Sequence, residues 1–76
     1  GGAWFASGAL QIHLGVEPNF RPSAQAHPAL RCADLDGLMA RLRAAGCDVR
    51  EDADVPGTRR AFVNDPFGNR IELIAA

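Results

Sequence analysis

Phe62-Val63-Asn64-Asp65-Pro66-Phe67-Gly68-Asn69-Arg70-Ile71-Glu72-Leu73 is the stretch on which the reading of this chain turns. Two alternating runs, Arg59–Asn64 and Arg70–Ile74, flank Asp65-Pro66-Phe67-Gly68-Asn69. Proline presets φ and glycine supplies a positive φ, so these five residues predict a tight turn and the whole stretch predicts a β-hairpin. Ile71 and Leu73 point one way along the second strand, which sends Glu72 to the opposite face.

Upstream of this hairpin, His27–Cys32 reads as a strand, with Pro28 confined to its start or to a sheet edge. A helix follows. Asp34 is placed as N-cap, and Leu35, Leu38, Met39, Leu42 and Ala45 recur at spacings of three and four. Arg41 and Arg43 stand near the helix end, where the macrodipole favours cations, and Gly46 supplies the C′ residue. Cys47–Glu51 reads as the next strand, then a polar turn runs through Asp54, Pro56 and Gly57. Residues 27–76 therefore form an α+β unit of order βαβββ, with the helix stripe packing on the sheet face that carries Ile71 and Leu73.

The first 15 residues read as a separate hairpin: Gly2–Ala6, a Ser7-Gly8 turn, then Ala9–Leu14 with Leu10, Ile12 and Leu14 opposite Gln11 and His13. Residues 16–26, with Pro18, Asn19, Pro22 and Ser23, read as a linker. Trp4-Phe5, a turn and Gln11-Ile12-His13-Leu14 echo Phe62-Val63, a turn and Arg70-Ile71-Glu72-Leu73. The first hairpin thus looks like the end of an earlier βαβββ unit whose opening is absent.

Composition narrows the partners. The chain has 76 residues and a formal charge of −1, with its arginines scattered, so no basic face for nucleic acid is predicted. No apolar run approaches the roughly 20 residues that span a bilayer, and no signal peptide is visible. Cys32 and Cys47 are the only cysteines and are expected to pack as reduced, small apolar groups in a cytoplasmic chain. The chain opens at Gly1 without methionine, and we expect that upstream residues were trimmed or never belonged to this stretch. A domain this short buries about 60% of its unfolded surface and often relies on association.

His13, His27 and Glu72 are the candidate site. Taken singly, Glu72 reads as the solvated face of a half-buried strand and His27 as a loop histidine bonded to backbone. Together they are the only two histidines and one strand carboxylate, on strands whose alternation can place them on one surface. Two imidazoles and a carboxylate suit a divalent metal such as Fe²⁺, Mn²⁺, Zn²⁺ or Ni²⁺, with no choice among these from spacing. Asp34 and Asp36 are better explained as cap and first-turn acid. Arg59 and Arg60 point to opposite faces of one strand, so only one can reach a ligand, and solvent is the default for both. No G-x-G-x-x-G, Walker or nucleophile-elbow motif is present.

The string Ala26–Ala76 resembles the second βαβββ module of the vicinal oxygen chelate superfamily, which includes glyoxalase I, extradiol dioxygenases and the bleomycin- and fosfomycin-resistance proteins. The matching pieces are His27-Pro28-Ala29-Leu30, Asp34-Leu35-Asp36, Leu42-Arg43-Ala44-Ala45-Gly46 and, most specifically, the Phe62–Leu73 hairpin. Gly1–Gly15 resembles the last two strands of the preceding module. The resemblance implies two modules paired into an open cup, with His27 and Glu72 as metal ligands of the second module and His13 at the last-strand position of the first. It implies a metal-dependent enzyme, a lyase, isomerase or dioxygenase, acting on a small molecule with vicinal oxygens, with Glu72 at the catalytic centre. Metal-free binding of an antibiotic, as in bleomycin-resistance proteins, and an inactive truncated fragment are the alternatives. The first module's opening strand has no counterpart here, so a homodimer is expected to rebuild the cup. Its site would hold His27 and Glu72 from both chains, or His13 completing the pair.

Overall fold

The computed structural model describes all 76 residues. It comprises strands β1 (Gly2–Ser7), β2 (Leu10–Gly15) and β3 (Ala29–Cys32), helix α1 (Leu35–Ala44), and strands β4 (Val49–Asp52), β5 (Arg60–Asn64) and β6 (Arg70–Ala75). The architecture is α+β, as the alternation and the helical stripe require.

The helix is bounded by its own chemistry. At its start Asp34 Oδ1 accepts from the Gly37 N–H at 3.0 Å, which satisfies one of the orphan first-turn donors. A Cβ at position 37 would meet the Asp34 carboxylate, which would have to shift. At the far end Gly46 adopts φ +88°, and the Cys47 and Gly46 N–H groups donate to the carbonyls of Leu42 and Arg43 at 2.9 and 3.0 Å. This paired return is the Schellman arrangement. It also moves the next strand: Cys47 is spent on the cap, so β4 begins at Val49 rather than at Cys47.

Four strands make the main sheet, in the order β3-β6-β5-β4. Strand β3 runs parallel to β6 after the helical crossover, and β4, β5 and β6 form an antiparallel meander. Leu35 and Met39 of α1 bury against Val49, Ala61, Val63 and Leu73, and Leu38, Leu42 and Ile71 pack at the margin of this cluster. The helix covers one face of the sheet. Alternation sends Arg60, Phe62, Arg70 and Glu72 to the other.

The β1–β2 hairpin forms a sheet of its own. Trp4, Phe5, Leu10 and Leu14 are 68%, 56%, 45% and 45% exposed, so neither face of the hairpin is covered. The radius of gyration is 13.3 Å, against about 11 Å for a closely packed domain of this length, because the hairpin extends from the βαβββ unit. Cys32 and Cys47 are unpaired thiols, both half-buried. No helix is long and apolar enough to cross a membrane.

The helix stripe is not uniform in depth, and that sets an order of costs. Met39, 3% exposed, should lose about 2–5 kcal/mol on truncation to alanine. Leu38→Ala, at the margin, should lose clearly less. Urea unfolding of both variants checks this; a larger loss for Leu38→Ala would mean that the helix is rotated from the face described.

Candidate metal centre

The site begins with the β5–β6 turn. Asp65 Oδ1 accepts from the backbone N–H groups of Phe67 and Asn69 at 2.9 and 2.8 Å, and its Oδ2 accepts from Asn69 Nδ2 at 2.7 Å. Gly68 turns the chain at φ +89°. Burial works against the Asp65 charge, but donors from Asn69, Phe67 and Gly68 hold its carboxyl below the usual range. The turn fixes the register Asn64↔Arg70, hence Phe62↔Glu72.

The Glu72 N–H donates to the Pro28 carbonyl at 3.0 Å. This extends the β3–β6 ladder beyond β3 and draws the preceding residue alongside Glu72. His27 therefore lies just ahead of the strand, which starts at Ala29 and not at His27. Its Nε2 stands 2.8 Å from Glu72 Oε1, and its Nδ1 stands 2.7 Å from the Gln25 carbonyl oxygen. A carbonyl only accepts, so Nδ1 carries a proton. Nε2 is left as the atom that shares a proton, or a cation, with the carboxylate. The ring meets Phe62 edge-on, with centroids 5.7 Å apart.

The second oxygen of Glu72 is held separately. Arg60 Nη1 donates to Oε2 at 3.3 Å, while Arg60 Nη2 reaches Asp52 Oδ2 at 2.7 Å. Arg59 turns to the helix side and pairs with Asp36 and Glu51 at 2.8 and 3.2 Å, as alternation along the strand requires. Glu72 is buried, at 9% exposure. The hydrogen bond from His27 lowers its pKa, burial opposes that, and Arg60 adds to the lowering. Arg70 Nη2 donates to the Gln25 carbonyl at 2.9 Å and lies 3.2 Å from His27 Nδ1.

His27 and Glu72 are thus brought together, and His13 is not brought to them. His13 sits on β2 opposite Trp4 and stacks on it, with ring centroids 4.1 Å apart and planes 3° from parallel. The hairpin echo holds in register, Trp4↔His13 matching Phe62↔Glu72, yet the two hairpins lie in different sheets. No three His, Cys, Asp or Glu side chains cluster closely enough to hold a metal. The chain brings two candidate ligands together, not a full set. A cleft of about 300 Å³ lined by Arg31, Thr58, Arg59 and Ile74 does not include them.

Sequence reasoning missed Arg70, Asp52 and the Gln25 carbonyl, and it left Arg60 to solvent by default. Residues 70 and 72 share a strand face by simple alternation, so Arg70 could have been found. Arg60 and Asp52 needed the cross-strand register.

Residues 2–73 match the family model of the Glyoxalase/Bleomycin resistance protein/Dioxygenase superfamily. The crystal structure of a protein assigned to the glyoxalase family, from Bacillus anthracis, superposes with a TM-score of 0.92 at 44% identity, covering 99% of this chain and 62% of that one. The genomically encoded fosfomycin resistance protein FosX from Listeria monocytogenes superposes with a TM-score of 0.78, covering 96% of this chain and 64% of that one. At 22% identity this second likeness is one of fold. The chain spans less than two thirds of the length of either structure. No curated protein matches it.

The Glu72 contacts carry a sign. Just above its ordinary value of 4.5 the carboxylate is ionised whether the chain is folded or not, and its pairing with doubly protonated His27 and with Arg60 stabilises the fold in full. As pH falls below that value the unfolded chain takes up the proton first, and the contribution is lost as pH passes through the lower folded-state pKa. Asp36, Asp52 and Asp65 are lowered too, so the comparison must be between variants. Glu72→Gln should flatten the decline in stability below pH 4.5, measured by chemical unfolding at each pH; an unchanged slope would show the pairing to be energetically silent.

Proposed function

The chain belongs to the Glyoxalase/Bleomycin resistance protein/Dioxygenase superfamily, and from that premise we propose that His27 and Glu72 are ligands of a divalent metal site acting on a small molecule with vicinal oxygens. The observation that carries this reading is the His27 Nε2 to Glu72 Oε1 approach of 2.8 Å, with the other atom of each group held elsewhere. Gln25 fixes the imidazole tautomer through Nδ1, and Arg60 holds Glu72 Oε2. Metal-ligating histidines and carboxylates are oriented by such outer contacts. The donor set fits Fe²⁺, Mn²⁺, Zn²⁺ or Ni²⁺.

When bound, the metal would supply an electrophile that polarises substrate oxygens and stabilises developing negative charge. The protein's own contribution is orientation. Phe62 walls the imidazole on one side. Glu72, anchored at Oε2 by Arg60, presents Oε1 at the reacting centre, which is why we assign it the catalytic position.

Two ligands leave open positions on such an ion. In this reading a second copy of the chain supplies the remainder and covers the uncovered hairpin, whose Phe5, Leu10, Ile12 and Leu14 share one face. His13 is then the third ligand, contributed across a homodimer. Metal-free sequestration of a drug fits less well, because the uncovered sheet face carries four guanidiniums, an imidazole and two carboxylates rather than an apolar lining.

Equilibrium dialysis against Mn²⁺, Zn²⁺, Ni²⁺ and Fe²⁺ with elemental analysis tests this. One of these metals should be retained. His27→Ala and Glu72→Gln should each weaken it by about tenfold or more, and His13→Ala should weaken it only in the dimer seen by sedimentation. Bonds to nitrogen and oxygen should fall at roughly 2.0–2.2 Å. Retention that is indifferent to both His27→Ala and Glu72→Gln would end the proposal.

A further inference from the structure

We infer that Arg70 anchors an anionic group of the small molecule, a carboxylate, phosphonate or phosphate, beside the His27–Glu72 pair. The inference rests on reading this uncovered sheet face as the ligand-binding face.

Two guanidiniums share the Phe62 ring, Arg60 at 5.3 Å and Arg70 at 5.6 Å from its centroid. Their charges are treated differently. Arg60 is compensated twice, by Asp52 at 2.7 Å and Glu72 at 3.3 Å. Arg70 has no acid within ion-pair distance anywhere in the chain; its contacts are a backbone carbonyl and the His27 ring. Arg70 is only partly exposed, and its Nε–H, like that of Arg60, is buried with no acceptor, so the missing counter-ion is what sets Arg70 apart. A cation held partly away from water with no counter-ion is costly, and the natural relief is an anion brought from outside.

The geometry says what kind of anion. A guanidinium presents parallel N–H groups that match two oxygens of one planar or tetrahedral oxyanion. Arg70 Nη2 is tied to Gln25, while Nη1 has no partner in the chain and is not enclosed. The His27 ring stands between Arg70, whose Nη2 is 3.2 Å from Nδ1, and the Nε2–Oε1 gap where the metal is proposed. The surroundings favour negative charge as well. The register places Arg31, Arg50, Arg60 and Arg70 on this face, half of the chain's eight basic residues, against Asp52 and Glu72. A divalent metal would add to that excess. A ligand carrying an oxyanion and a metal-chelating oxygen pair would meet both parts of the face at once.

NMR titrations of the 76-residue chain with methylphosphonate and with acetate, in phosphate-free buffer, test the inference, and dimethyl methylphosphonate and acetamide serve as neutral counterparts. Each titration is run after chelator treatment and again with Mn²⁺. At least one anion should bind and its neutral counterpart should not; which anion binds distinguishes phosphonate from carboxylate. Arg70→Gln should weaken that binding by about tenfold or more. Arg70→Lys, which keeps the charge and loses the fork, should fall between. Arg41→Gln, on the helix, should bind as the unaltered chain does. Equal affinity in the unaltered chain and Arg70→Lys and Arg70→Gln, or equal binding of neutral and charged probes, would overturn the assignment. Mn²⁺ retention, read in the same samples, separates the two proposals. Anion binding that needs Arg70 without Mn²⁺ retention leaves the anchor standing and removes the metal; Mn²⁺ retention without Arg70-dependent binding does the reverse.

Discussion

Everything on the uncovered face of the sheet depends on the Asp65 carboxylate closing a five-residue turn. By accepting from the backbone of Phe67 and Asn69 it sets the β5–β6 register, and with it which side chains stand side by side. A slip of one residue would carry Glu72 into the helix-facing core and push Leu73 out, because strand faces alternate with period two. Such a slip exposes an aliphatic side chain and buries a carboxylate away from His27 and Arg60. Core packing and site geometry therefore enforce the same register.

The site in turn leans on a small core. Six apolar residues are buried, all on the helix side, while the other side holds a buried carboxylate tied to an imidazole and a guanidinium. Taking such groups out of water is favourable only when each is well partnered. Glu72 meets that condition through both oxygens, and Arg60 through two acids. Arg70 has no acid, and its guanidinium lies over the Phe62 ring. The division of labour is spatial: stability resides on one face and polar chemistry on the other.

Much of this was legible in the residues themselves. The Asp34 cap, the three-four spacing from Leu35 to Leu42 and Gly46 defined the helix, and Pro66 and Gly68 defined the last turn, because these signals are local. The Cys47 boundary was missed since a Schellman return consumes that residue, and local alternation does not reveal a cap bond. His27 was placed inside its strand, but the hydrogen bond from Glu72 to Pro28 that positions it belongs to a partner 44 residues away. The role of Arg60 was hidden for the same reason: an arginine defaults to solvent until cross-strand neighbours are known. His13 shows the opposite limit. Its equivalence to Glu72 in hairpin register was readable, and that equivalence says nothing about where two separate sheets lie in space.

The Trp4–His13 stack has a bearing on how this molecule can be watched. Trp4 is the sole tryptophan, and it sits on the β1–β2 hairpin against an imidazole. Intrinsic fluorescence therefore reports the hairpin, whereas far-ultraviolet dichroism is weighted toward α1, the one helix of the chain. The two optical signals look at different parts of the fold. Their divergence or coincidence during unfolding measures how tightly the hairpin and the βαβββ unit are coupled.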